Sequence, residues 1–311
     1  MIFFIEIVII FFSFFLSYKL NFLIKNYDLP GQNKIHKQKV LTSGGFIPLL
    51  ISSIIIFYYI YFSGIEFSSY YYMIPQIWMA PVSLIILTLI SFYDDYKYIP
   101  FQVRLFVQLS IVYLCISLFP INTMFNIQTP LFLGSLPIKL DIIITIIFWT
   151  FVINSTNFID GFDGMYSFQT ISNFLGLSVI FFILKEDFHF MISILILIIG
   201  ILFLFFNFGK KYKMYIGDVG SIPTGFILGW MLISLANMGY FFTAIILNSL
   251  FLFDVMFTLV KRILGKKSIF SRHNDFIFKK FIIRKGLKKY LLWAVPLQII
   301  ILIISITTIL Q

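Results

Sequence analysis

The chain has 311 residues, 60% of them hydrophobic and only 12% charged, with a mean hydropathy of +1.00. That balance excludes an ordinary soluble globule and marks an all-α polytopic integral membrane protein with about ten transmembrane helices. The net charge of +10 is not arranged as an aromatic-basic binding module, so membrane lipid is the expected partner and nucleic acid is not.

Apolar runs near crossing length fall at about 2–24, 46–63, 74–93, 101–119, 138–156, 163–184, 188–206, 219–237, 240–260 and 289–310. The fifth and sixth flank a short polar segment with almost no spacer. No basic residue precedes the first run, and Lys19 and Lys25 come at and beyond its end, so a retained first span is expected rather than a cleaved signal. Cys115 is the single cysteine. It excludes an internal disulfide and reads as a small hydrophobe. With residues 25–45 placed on the cytoplasmic side and the spans alternating, 21 of the 23 Lys and Arg face the cytoplasm. Only Lys139 and Lys185 fall outside. This is the positive-inside pattern, and it predicts both termini on the extracytoplasmic side.

The chain reads as one transmembrane catalytic domain over 1–311, with cytoplasmic loops at about 25–45, 94–100, 154–164, 207–218 and 261–288. The first loop carries Asp28-Leu29-Pro30, then His36 and Lys39, which suit a diphosphate. Gly44-Gly45 follows and lets the second span start close to a ligand. The next offers Asp94-Asp95. Two adjacent carboxylates repel each other and ask for a cation. Taken alone, a solvated helix end with Lys97 as partner explains the pair more simply.

Asn154, Asn157 and Asp160 recur every three residues, close to one helical face, and Gly161, Asp163 and Gly164 follow. Neutral and charged oxygens in such a mixture suit Mg²⁺ together with water and phosphate, although Asn-Asp-Gly clusters also build plain turns. Gly217-Asp218-Val219-Gly220-Ser221 can face an anion with a helix N-terminus, or can simply be a helix capped by Asp218. Asp254 lies inside the ninth run. It is a functional candidate, or a carboxylate reaching to Lys261 and Arg262. In the last loop, Phe278, Phe281 and Ile282 lie at helical spacing beside Lys279, Lys280 and Arg284, the pattern of an interfacial helix. Five carboxylates thus converge on one membrane face: Asp94, Asp95, Asp160, Asp163 and Asp218. Hard oxygen ligands in that number point to phosphate chemistry on a divalent metal.

In this order the motifs resemble those of the polyprenyl-phosphate N-acetylhexosamine-1-phosphate transferases, over roughly Asp28 to Lys280. That family includes the phospho-muramoyl-pentapeptide translocase and the bacterial enzymes that start O-antigen, teichoic acid and common-antigen chains. The resemblance implies transfer of a sugar 1-phosphate from a UDP-sugar to undecaprenyl phosphate in the bacterial inner membrane, with release of UMP and with Mg²⁺ or Mn²⁺ required. It also implies that Asp218 and Asn157 bind the metal, and that Asp94 deprotonates or orients the lipid phosphate with support from Asp95. Asn154, Asp160 and Asp163 would position nucleotide and metal. His36, Lys39, Gly44, Gly45, Asn207, Arg272 and His273 would contact substrate. A homodimer packed through apolar spans would fit the family.

Several positions depart from the family pattern. Asn33 stands for an Arg, Thr42-Ser43 for Pro-Arg, and Lys210-Lys211-Tyr212 for Pro-Ala with one residue more. The last loop keeps only Arg272-His273-Asn274-Asp275 where relatives are rich in His. These changes leave the donor sugar open and make the peptidoglycan translocase the poorer match. UDP-GlcNAc or a related N-acetylated donor is expected. A CDP-alcohol phosphotransferase is excluded because Ser167-Phe168 replaces its Ala-Arg and the downstream Asp pair is missing. The sequence also admits an ion-coupled transporter, a flippase or an inactive homologue. A transporter's polar groups usually gather near the midplane, whereas these lie at the ends of spans.

Overall fold

Apolar segments that cross hydrocarbon must satisfy their backbone polar groups internally, and this chain does so with helices almost throughout. A computed structural model describes residues 2–29, 39–62, 74–117, 124, 137–208, 211–268 and 273–310. His36 and Arg272 lie outside the described residues. The helices are α1 Ile2–Leu23, α2 Phe46–Phe62, α3 Ile74–Tyr96, α4 Phe101–Ser117, α5 Ile138–Ile159 and α6 Met165–Ile183. They continue with α7 Asp187–Phe208, α8 Asp218–Asn237, α9 Phe241–Leu247, α10 Ser249–Leu264, α11 Ile277–Lys285 and α12 Leu287–Leu310. Among the described residues, β1 Tyr27–Asp28 pairs antiparallel with β2 Val40–Leu41.

Among the described residues, seven helices are long and apolar enough to cross a membrane, and α9 with α10 would make an eighth as one bent span. α2 and α4 are apolar but shorter. Each of the ten predicted runs is therefore helical, but the ninth is not one straight helix. Its two halves are bent by 74° at a break formed by Asn248, whose buried side-chain nitrogen and oxygen have no partner among the described residues. Gln298 of α12 donates Nε2 to the Leu247 carbonyl at 3.2 Å, so the broken ladder regains one bond from a neighbouring helix.

α8 is the axis of the bundle, apolar on all sides and buried along nearly its whole length. It packs against α5, α3 and α9. Small residues on α8 allow the close approach to α5, with Gly225 facing Ile153 and Gly229 facing Trp149. The Trp149 ring stacks on Phe226 at 4.9 Å and donates Nε1 to the Phe226 carbonyl at 2.8 Å. A second apolar cluster seats α11: Phe276, Phe278 and Ile282 pack with Ile159, Met165, Phe251 and Val255. This agrees with the amphipathic spacing of that segment.

Three helices run past the ends that the sequence suggests. α3 reaches Tyr96, α5 reaches Ile159 and α7 reaches Phe208. Asp94, Asp95 and Asn207 are accordingly helical residues and not loop residues, while Asn154 and Asn157 both lie on α5, as their three-residue spacing suggests.

Candidate active site

The site begins with the turn into α8. Gly217 holds φ at +76°, and a Cβ there would stand 2.4 Å from Asp95 Oδ2, so this position takes glycine for both backbone and space. The backbone then presents the first N–H groups of α8 to Asp95. Its Oδ1 accepts from Asp218 N at 3.1 Å and its Oδ2 from Val219 N at 3.4 Å. Asp95 also accepts the Ser43 hydroxyl at 2.8 Å, and Ser43 in turn accepts Asn26 Nδ2 at 2.8 Å. The capping residue of α8 is therefore Asp95, arriving from α3, and not Asp218 as the sequence permits. A carboxylate at the positive end of a helix is favourably placed.

Capping by another residue leaves the Asp218 side chain available. Its Oδ1 accepts Asn157 Nδ2 at 2.8 Å, and its Oδ2 lies 2.5 Å from Arg104 Nη1. The same nitrogen is 2.6 Å from Asp94 Oδ2, while Asp94 Oδ1 accepts Ile99 N at 2.7 Å. One cationic nitrogen thus sits between two carboxylates from α3 and α8. The partner of Asp94 is Arg104, not Lys97, because α4 turns its first turn back across the end of α3. Asp218 keeps 27% of its side-chain surface exposed against 7% for Asp94, so the approach to this cation position is over Asp218.

The remaining two acids have lysine neighbours. Asp163 pairs with Lys213 at 2.5 Å. Lys279 of α11 sits beside Gly161, its Nζ 2.9 Å from where a Cβ would stand, and its charge acts on Asp160. Burial first, and then the charge of Asp218, push the Asp160 carboxyl up to about 7, with Lys279 pulling the other way. Burial brings Lys279 down to about 8 against the pull of Asp160 and Asp254. The five carboxylates therefore lie at one end of the bundle, with Asp94, Asp95 and Asp218 linked directly and Asp160 joined to Asp218 through its charge. Among the described residues no three His, Cys, Asp or Glu side chains come close enough to cage a metal.

Several of the predicted contact residues also make bonds within the protein. Gly44 N donates to Tyr215 O at 2.9 Å and Gly45 N to Ile216 O at 3.1 Å, so the glycine pair brings the strand before it against the entrance of α8. Asn207 is buried. Its Oδ1 accepts Gly164 N and its Nδ2 donates to Met214 O at 3.3 Å, which makes it a brace between two loops. Asn154 donates Nδ2 to Gln108 Oε1 at 2.7 Å and to Thr150 O at 2.9 Å, linking α5 to α4. Lys39 is exposed, its Nζ 4.9 Å from the centre of the Tyr27 ring. The His273 ring stacks on Phe276 at 4.8 Å. Burial first, then Arg262, lower its pKa to about 4, so it is neutral at pH 7.

Asp254 does not reach to Lys261 or Arg262. Its carboxylate accepts Ile277 N at 2.7 Å and Phe278 N at 2.8 Å, capping α11 across a helix pair. Arg262 pairs with Asp275 and donates to the Ser268 carbonyl. The residues that sequence reasoning missed are Arg104, Lys213, Lys279 and Ser43. The signal for Arg104 was a lone guanidinium in the first turn of an apolar helix, four residues before Gln108.

A profile of glycosyl transferase family 4 matches residues 77–236, about half of the chain. A phospho-N-acetylmuramoyl-pentapeptide-transferase of Streptococcus thermophilus is 33% identical over 107 residues, covering 33% of this chain and 31% of that protein. The protein of that name from a Drosophila simulans Wolbachia is 38% identical over 77 residues, covering 24% and 23%. The matched region thus spans less than a third of either relative's length.

Proposed function

The chain belongs to glycosyl transferase family 4, and we propose that it moves a sugar 1-phosphate from a UDP-sugar to undecaprenyl phosphate at the membrane edge bearing Asp94 and Asp218. The observation that carries this reading is the single Arg104 nitrogen held at 2.6 and 2.5 Å between those two carboxylates. Positive charge already occupies that place, and Asp218 leaves it partly open to solvent. Attack of a lipid-phosphate oxygen on the β-phosphorus of the donor would break its bond to the bridging oxygen and release UMP. Such a transfer joins two anions, so alignment and charge neutralisation dominate its catalysis.

The residues fit Mg²⁺. Asp218, with Asn157 hydrogen-bonded to it, would hold the ion, since Mg²⁺ is commonly bound by one or two carboxylates and completed by water and phosphate oxygens. When bound, it would neutralise the diphosphate. Asp94 would orient or deprotonate the lipid phosphate, while Asp95, committed to the α8 backbone, positions Asp218. Arg104 and Lys279 bring further positive charge to the phosphates, and Asp160 and Asp163 face the nucleotide side. The concentration of Lys and Arg in the loops at this end supports a cytoplasmic active site in a bacterial inner membrane. The reduced last loop favours UDP-GlcNAc or a related N-acetylated sugar, and the relatives' names add UDP-MurNAc-pentapeptide to the donors worth offering.

Purified protein given undecaprenyl phosphate, Mg²⁺ and a panel of these donors should release UMP and form a lipid-linked product, both read by mass spectrometry. A transporter needs a sealed membrane, whereas this reaction should run in detergent. Failure with every donor and with Mn²⁺, beside a working control enzyme, would overturn the proposal.

A further inference from the structure

We propose that the cleft between α10 and α11 binds the phosphate headgroup of an anionic membrane phospholipid. The cleft encloses about 380 Å³. Phe257, Ile277 and Phe281 form its apolar wall, and Lys261, Lys280, Arg284 and Lys285 stand around it. The one carboxylate in the lining, Asp275, is taken up by Arg262 and by Lys280 at 3.1 Å. Lys261, Arg284 and Lys285 have no acidic partner among the described residues, so the cleft carries surplus positive charge next to an apolar surface. Charge of that sign calls for an anion, and the apolar wall calls for an amphiphile.

The neighbouring surface extends the match. Phe253, Met256, Phe257 and Val260 recur at helical spacing on α10 and are each about half exposed. They form a stripe along which acyl chains can run away from Lys261. On α11, Ile277, Lys280, Phe281 and Arg284 share one face, whereas Lys279 projects from nearly the opposite one, toward Asp160. The lipid would therefore grip the reverse side of the helix that presents Lys279. This inference stands apart from the donor, the acceptor and the reaction.

Native mass spectrometry of the full chain, released from vesicles of phosphatidylcholine with or without phosphatidylglycerol, tests it. Phosphatidylglycerol should be retained, and the triple variant Lys261→Gln, Arg284→Gln, Lys285→Gln should lose it by on the order of 100-fold, from three basic residues each worth about a factor of five. A second variant, Lys261→Arg with Lys285→Arg, keeps the charge and should keep the lipid, which separates loss of binding from loss of fold. Equal retention in the triple variant and the wild type would overturn the proposal. So would displacement of phosphatidylglycerol by inorganic phosphate at equal concentration, which would mark a free-anion site. Retention of undecaprenyl phosphate in place of phosphatidylglycerol would assign the cleft to a different lipid and overturn it too.

Discussion

Gly45→Ala is the most searching single substitution, because its clash is backbone against backbone. A Cβ at Gly45 would stand 2.5 Å from Gly220 Cα and 3.0 Å from Gly220 N. Carbon atoms pack at about 3.5–4.0 Å, so α2 and the first turn of α8 must separate by about 1 Å. No side chain can move aside to relieve the contact. Overpacking of this kind costs about 1–3 kcal/mol of stability. The larger effect falls on the site, since that turn carries Asp218 and is bonded to Asp95. A shift of about 1 Å at such a group lowers turnover on the order of 100-fold. The control is Gly239→Ala. There φ is +95° with nothing within 4 Å, so the substitution carries only a left-handed backbone cost of roughly 1–2 kcal/mol, at the far end of α8. UMP release at saturating substrates, with thermal melting alongside, reads both effects. A Gly45→Ala protein that melts lower yet turns over at the wild-type rate would refute the claim that this contact sets the position of Asp218.

Arg104→Gln should lower the melting temperature in chelator, and millimolar Mg²⁺ should restore it, because Asp94 and Asp218 would regain a shared cation. An identical Mg²⁺ response in wild type and variant would count against that sharing. Asp254→Asn leaves one of two buried N–H groups facing an amide NH₂, at a cost of about 1–3 kcal/mol. Hydrogen exchange at Ile277 and Phe278 should then quicken by roughly 10–100-fold, and unchanged exchange would remove the cap. The Asp160 pKa, raised to about 7 from 3.8, has a definite sign. In metal-free protein the folded state binds more protons than the unfolded state between those values, so its contribution is intact below the lower one and is lost as pH rises through the upper. Asp160→Asn should flatten that part of the stability profile, and an unchanged slope between pH 4 and 7 would assign it elsewhere.

The helices were legible because apolar runs of crossing length have few other uses, and the carboxylates because charges at the ends of such runs are rarely idle. The pairings were not legible. Arg104 counted only as one more cation in a one-sided distribution, since nothing local shows α4 folding back across the end of α3. Asp218 looked like a metal ligand or a cap and Asp95 like half of a pair asking for a cation, and only their three-dimensional order reveals that Asp95 caps α8 and leaves the Asp218 side chain to Asn157 and Arg104. The turn of Asp254 toward α11 was hidden for the same reason, because a cap supplied by a distant helix leaves no mark in the local spacing. The break at Asn248 did leave a trace. Asn248-Ser249 puts two adjacent polar residues in the middle of the run, and a period count absorbs them without registering a 74° bend.

The two-sided grip on Arg104 has a consequence for biogenesis. Asp94 is ten residues away and Asp218 is 114 residues away, so during synthesis Arg104 and Asp94 meet early and wait for α8. Lys279 and the α11 N–H groups that Asp254 caps emerge later still, after α10 has left the ribosome. The proposed catalytic face is thus completed from the C-terminal end, and a nascent chain halted before α11 would hold every carboxylate of the candidate site while lacking the lysine whose charge acts on Asp160.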